Sequence, residues 1–235
     1  MKIRVLQHEP WIDGGEYIAW AKRNNHELAY TKVYAYDEIP NDVDSDMLLI
    51  CGGPQCPKTT KEEYPYYDNQ KEKEFIKRYI DANKIVIGSC LGAQLIGEAL
   101  GADYLHSPYT EVGMVVGKLT KEGKNDKHFT SFPNKLLIGE WHNDMPGLTK
   151  EAVVIMKSKG CPRQIIKFAP FVYGFQAHIE FTHNSFVKGL EAHDNSLKLV
   201  GPYICSKEEM LKIDTTEMNK CLSNFLDSLV KDYFS

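Results

Sequence analysis

The chain has 235 residues and a formal net charge of −4, with 43% hydrophobic and 26% charged residues. That is an ordinary globular balance, and a chain of this length can bury a large core without disulfides or metals. It has no basic excess, no acidic tail and no apolar run of signal-peptide or membrane-spanning length. A cytoplasmic protein with no nucleic-acid partner and no membrane is therefore expected.

Ile3 to Leu6 is a short apolar run that suits a buried strand. Gly14 and Gly15 open a helical stretch with Tyr17, Ile18, Trp20 and Ala21 at helical spacing. Glu27 to Tyr34 alternates as a second strand, and Asp46 to Cys51 is a third, stopped by Gly52-Gly53-Pro54. Residues 55–65 read as a loop, and Tyr67 to Ile80 as a charged helix. Lys84 to Gly88 is a fourth strand, followed by a helix from Cys90 to about Leu100 and a stop at Gly101. Continuous apolar strands of this kind are buried on both faces of a parallel sheet.

The second half is richer in β segments, at 111–120, 136–141, 152–156, 164–168 and 172–178, with helices at about 182–191 and 214–231. No linker, repeat or low-complexity segment divides the chain, so residues 1–235 read as one domain. The expected class is α/β, a mostly parallel central sheet flanked by helices, with added β segments in the second half. The six cysteines, at 51, 56, 90, 161, 205 and 221, are scattered and read as free thiols. Cys51 and Cys56 have no second Cys or His pair at ligand spacing, so no metal and no cofactor is expected.

The sharpest feature is Gly88-Ser89-Cys90-Leu91-Gly92, between a strand and a helix. This is the G-x-nucleophile-x-G pattern of a strand-to-helix elbow. The nucleophile sits on a strained turn, and side chains two residues either way would strike neighbouring backbone. The turn puts the sulfur at the start of a helix, where the dipole favours thiolate. It also aims the Leu91 N–H toward a developing oxyanion. The bland alternative is a buried cysteine at a glycine-bounded helix start.

His178 and Glu180 lie two apart in Gln176-Ala177-His178-Ile179-Glu180. At a strand end, alternation puts both side chains on one side, where a carboxylate can orient an imidazole. Alone, the pair reads as a solvated strand end. With the elbow it completes a nucleophile, a base and an acid. The order Cys90, His178, Glu180 differs from the nucleophile–acid–base order of α/β-hydrolases, and the papain signature is absent.

These residues resemble the class I, or triad, glutamine amidotransferases, in particular stand-alone proteins similar to the glutaminase domain of GMP synthase. Ile50-Cys51-Gly52-Gly53-Pro54 is similar to the family's oxyanion strand, and Gly88 to Gln94 to its elbow. Trp141-His142-Asn143-Asp144 resembles its substrate-side segment, and Gly174 to Glu180 its His-x-Glu strand. The opening Leu6-Gln7-His8-Glu9-Pro10 is also similar, and Glu111-Val112-Gly113 matches a further segment weakly. The likeness runs from about residue 3 to 185. The family's Phe-His-Pro-Glu reads Ala177-His178-Ile179-Glu180 here.

The resemblance implies a flavodoxin-like sheet and Cys90-dependent hydrolysis of the glutamine side-chain amide through a γ-glutamyl thioester. Cys90, His178 and Glu180 would be catalytic, and the N–H groups of Gly53 and Leu91 would form the oxyanion hole. Gln94, His142 and Asp144 would grip the substrate's α-substituents, with Asp144 suited to the ammonium. From the residues alone, Gln94 reads equally well as an exposed polar residue and His142 as a local hydrogen-bonding one. Histidines 8, 26, 106, 128, 183 and 193 fall in no constellation and receive no role. The expected ligand is glutamine or another γ-glutamyl small molecule, and the implied partner is a synthetase subunit that receives ammonia. No Walker-type loop is present in the sequence itself. Two other readings stand beside this one: a γ-glutamyl peptidase with the same triad, and a non-catalytic regulatory or binding protein on the same fold.

Overall fold

The computed structural model describes residues 1–192 and 200–235; His193 lies outside the described residues. In chain order the elements are β1 (Lys2–Gln7), α1 (Gly15–Arg23), β2 (Glu27–Lys32), β3 (Met47–Ile50), α2 (Asn69–Asp81), β4 (Ile85–Ser89) and α3 (Leu91–Ala99). They continue with β5 (Leu105–Leu119), α4 (Lys121–Asn125), β6 (Lys135–Met145), β7 (Val153–Lys157), β8 (Ile165–Ala169), β9 (Val172–Phe175), α5 (His183–Ala192), α6 (Lys207–Met210) and α7 (Thr216–Tyr233).

All nine strands join one sheet in the order β2-β1-β3-β4-β9-β8-β7-β5-β6. From β2 to β9 the neighbours are parallel, as continuous apolar strands require. Beyond β9 the sheet continues antiparallel through β8, β7, β5 and β6. Those are the β segments expected in the second half.

The period of two divides each strand between two cores. Ile3, Val5, Met47, Leu49, Ile85 and Ile87 face a cluster that includes Tyr17 and Trp20 of α1 and Leu222, Phe225 and Leu229 of α7. Leu6, Leu48, Ile50 and Val86 face the other, with Phe75, Ile76 and Tyr79 of α2 and Leu91, Leu95 and Ile96 of α3. A sheet covered on both faces presents the carboxyl ends of its parallel strands as the open crevice, which is where ligands bind in such folds.

The structure corrects the last strand. β9 ends at Phe175, not at residue 178. The N–H groups of Gln176 and Ala177 both reach the Gln164 carbonyl, and His178 N–H bonds the Gly139 carbonyl. The chain therefore leaves the sheet ladder before His178, and strand alternation is not what brings His178 and Glu180 together. β5 also begins six residues earlier than its expected start at 111, and β6 runs on to Met145, so His142 and Asp144 are strand residues.

Gly92 packs against β3: a Cβ there would lie 2.4 Å from the Ile50 carbonyl oxygen. Gly92→Ala is expected to destabilise the fold by about 1–3 kcal/mol, the usual penalty of overpacking. Denaturant unfolding would read this as a lower midpoint at an unchanged slope.

Candidate active site

β4 delivers the chain to Cys90, and α3 starts at the next residue. The Cys90 backbone has φ 51° and ψ −107°, a left-handed conformation that costs a non-glycine residue energy. Packing holds it there. The Cys90 N–H bonds the Phe175 carbonyl at 2.7 Å. A Cβ on Gly88 would fall 2.4 Å from Gly92 backbone atoms, so only glycines let the two arms of the turn close this tightly.

His178 sits over this elbow. Its Nδ1 lies 2.7 Å from Glu180 Oε1, with both side chains buried. Burial alone would lower its pKa, but the Glu180 carboxylate and hydrogen bonding to the Cys90 sulfur outweigh that and push it up to about 10. Phe181 stacks on the imidazole with ring centroids 4.0 Å apart. Ala177 and Ile179, the departures from the family pattern, are fully buried in the core beside the pair, and the His178–Glu180 contact is intact. The Glu180 carbonyl accepts the Glu16 N–H at the first turn of α1, which pins the loop from its other side.

A cavity of about 380 Å³ opens at this point, at the carboxyl ends of the parallel strands. Cys90, His178 and Glu180 line it, together with Gly53, Gln94, His142 and Asp144. The Leu91 side chain is buried in the core; its backbone N–H opens α3, where such a group has no intrahelical acceptor. Gly53 adjoins it, because a Cβ on Gly53 would lie 3.1 Å from Leu91 Cδ2.

Gln94 is buried, not exposed. Its amide donates to Gln176 Oε1 at 3.1 Å, and the Gln176 amide in turn donates to Cys90 Sγ at 3.4 Å. Gln176 was not singled out from the sequence. Its only signal is its position two residues before His178.

His142 does bond locally, but to charged groups. Its Nε2 lies 3.0 Å from Glu140 Oε2 and 3.2 Å from Glu111 Oε2, and all three side chains are buried. Burial would lower its pKa, but Glu111 and Glu140 push it up to about 10. Burial raises Glu140 to about 7. Ser158 and Gln164 donate to Glu111. Glu140 was not singled out from the sequence, and alternation along β6 puts it on the same side as His142 only because the strand runs past residue 141. The meeting of Glu111 with His142 was not legible either, since the two lie directly across the β5–β6 register. Asp144 pairs across the same two strands with His106, Nδ1 to Oδ1, at 2.6 Å.

Glu111, His142 and Cys161 each bring a ligand-type atom within 4.8 Å of the others. Burial pushes the Cys161 thiol up to about 12, away from the thiolate a metal needs, and both Glu111 oxygens are already bonded. The cluster is a hydrogen-bonded charge network. The six cysteines are free, and among the described residues no helix is long and apolar enough to cross a membrane.

The family profile for class I glutamine amidotransferases matches residues 14–193. The chain belongs to the class I glutamine amidotransferase family. It is 42% identical to the glutamine amidotransferase-like protein YfeJ of Salmonella typhimurium over 97% of both chains. It is 28% identical to a component chain of the glutamine-hydrolysing GMP synthase of Pyrococcus abyssi, over 66% of this chain and 75% of that one. Among solved structures, SMU.1228c superposes with a TM-score of 0.95 at 46% identity, over 98% of this chain and all of the other. A Thermotoga maritima glutamine amidotransferase superposes at 0.85 and 20% identity, over 98% of each chain, which speaks to fold alone.

A raised imidazole pKa makes His178 a cation at neutral pH. Its contribution to stability is complete below the ordinary value of 6.5 and is lost as pH rises toward about 10. An NMR titration of His178 in this family member is expected to have its midpoint near pH 10, and Glu180→Gln to move it down toward 6.5.

Proposed function

We propose that this class I glutamine amidotransferase hydrolyses the glutamine side-chain amide with Cys90 as nucleophile, His178 as acid and base, and Glu180 as the group that orients His178. The observation that carries the reading is the meeting of Cys90 and the His178–Glu180 pair on one cavity wall, with Cys90 on a left-handed turn at a helix start. The glutamine-hydrolysing name of the Pyrococcus abyssi relative supports the same chemistry.

The Cys90 thiolate attacks the γ-carboxamide carbon. The Leu91 and Gly53 N–H groups receive the oxyanion, each worth roughly 3 kcal/mol in comparable sites. The carbon–nitrogen bond breaks as the His178 imidazolium gives its proton to the departing nitrogen, releasing ammonia and leaving a γ-glutamyl thioester. Neutral His178 then takes a proton from water, whose oxygen attacks the thioester carbon. Glutamate leaves, and the thiolate–imidazolium pair is restored. Asp144 and His142, on β6 at the cavity wall, are suited to the substrate's ammonium and carboxylate respectively. Gln94 acts through Gln176 on the sulfur. The whole of residues 1–235 acts as one domain, and the ammonia goes to a synthetase partner.

One observation favours a second reading, cleavage of a γ-glutamyl amide with a larger amine. The cavity's 380 Å³, walled in part by Trp11 and Trp141, falls in the size class of general small-molecule pockets. The thioester is the same, and only the leaving group differs. Assay of glutamine against γ-glutamyl peptides, with ammonia and free amine measured separately, distinguishes the two.

Cys90→Ser is expected to abolish glutamine hydrolysis while leaving the unfolding transition in place. An electrophilic glutamine analogue is expected to add to Cys90 alone among the six cysteines, read by peptide mass spectrometry. Full activity in Cys90→Ser, or labelling elsewhere, would reject the assignment.

A further inference from the structure

His8, which has no role in the sequence pattern, is fully buried beside the proposed oxyanion strand. The β1–β3 register pairs Leu6 with Ile50, and carried two residues further it sets His8 beside Gly52. Its Nδ1 lies 3.1 Å from the Cys51 carbonyl oxygen and 3.3 Å from that of Gly52. Carbonyls only accept, so Nδ1 carries a proton and donates. The other nitrogen, Nε2, lies 2.9 Å from Glu72 Oε2 of α2, and both side chains are completely buried. The Glu72 carboxylate and the two carbonyls raise the imidazole's pKa against the opposing effect of burial.

The consequence lies in the peptide plane. All peptides in the described chain are trans. In a trans peptide the C=O of one residue and the N–H of the next point in opposite directions. With the Gly52 carbonyl drawn toward His8, the Gly53 N–H must point away from His8. Gly53 lines the cavity with Cys90, and Gly52 backs onto the catalytic pair: a Cβ there would lie 3.3 Å from His178 Cε1 and 3.4 Å from Cys90 Cβ. Glycines at 52 and 53 leave this segment little intrinsic stiffness, so its orientation has to be imposed from outside. A buried ion pair adds little stability over an apolar pair of the same volume, so stability alone does not account for His8 and Glu72.

We propose that His8 and Glu72 are a positioning pair that turns the Gly52–Gly53 peptide so that the Gly53 N–H aims into the Cys90 cavity as an oxyanion donor. This rests on the glutamine-hydrolysis reading above. His8 touches no substrate; it acts through the peptide it holds.

Two conservative variants separate the two halves of the imidazole. His8→Asn keeps an N–H where Nδ1 stands and gives up Glu72. His8→Gln keeps an N–H toward Glu72 and gives up the carbonyls. The double variant His8→Leu/Glu72→Leu removes the charged pair whole. Three readouts are needed: kcat and KM for glutamine, the affinity of a γ-glutamyl aldehyde that forms a tetrahedral thiohemiacetal on Cys90, and the rate of Cys90 alkylation by iodoacetamide.

His8→Gln and the double variant are expected to lose kcat on the order of 100-fold, the effect of losing one oxyanion donor, with KM within about twofold of wild type. Aldehyde affinity should fall in step, while iodoacetamide, which needs no oxyanion hole, alkylates Cys90 at the wild-type rate. His8→Asn should retain most of the kcat. Wild-type kcat in His8→Gln overturns the inference, as does an equal loss in His8→Asn and His8→Gln, or an alkylation rate that falls with kcat. If the double variant does not fold, the Asn and Gln pair decides alone. Failure of the wild-type protein to capture the aldehyde would instead overturn the glutamine reading, and this inference with it.

Discussion

Reversing the chain within one residue, from β4 into α3, forces Cys90 into a left-handed backbone conformation, and the surrounding packing is arranged to hold it there. Gly88 and Gly92 let the two arms of the turn touch, and Gly92 sits directly on the Ile50 carbonyl of β3. β3 continues within three residues into Cys51, Gly52 and Gly53. The elbow and the glycine strand therefore position each other. Strain at Cys90 is held by contacts that also set where the glycine strand lies beside it.

The other half of the site comes from the antiparallel extension. β9 is parallel to β4 and antiparallel to β8, so it is the strand at which the sheet changes character. Just past its end the chain crosses to β6 through the His178 N–H bond to Gly139. That crossing brings His178 and Glu180 over Cys90. β6 also carries Glu140, His142 and Asp144, so one strand supplies both the anchor for His178 and the far wall of the cavity.

Electrostatically the site is built on buried histidines held by carboxylates. His178 has Glu180, His142 has Glu111 and Glu140, and behind the glycine strand His8 has Glu72. In each case burial disfavours the imidazolium and the carboxylate restores it. Positive charge is thereby brought near the sulfur with no lysine or arginine among the described residues of the cavity wall.

Much of this was legible along the chain, because the governing rules are local. Continuous apolar runs marked the parallel strands, glycines marked the elbow, and the residues between Gly88 and Gly92 made Cys90 the candidate nucleophile. Contacts between distant segments were not legible. His178 and Glu180 do meet, but through a chain that has left its strand, so spacing foresaw the contact by the wrong geometry. Glu111 joins His142 only because the β5–β6 register sets them opposite each other, and Gln176 reaches the sulfur only because β9 runs beside β4. Gln94 turned inward to Gln176, and His8 lay directly past a strand with nothing in the sequence to show that α2 would bring Glu72 to it. The sequence by itself determined which residues are the candidates for chemistry and which local turns they need, since both follow from side-chain type and backbone sterics. Only the tertiary structure decided which charges are buried together and which carbonyls His8 holds, because register, burial and peptide orientation exist only once the strands have paired.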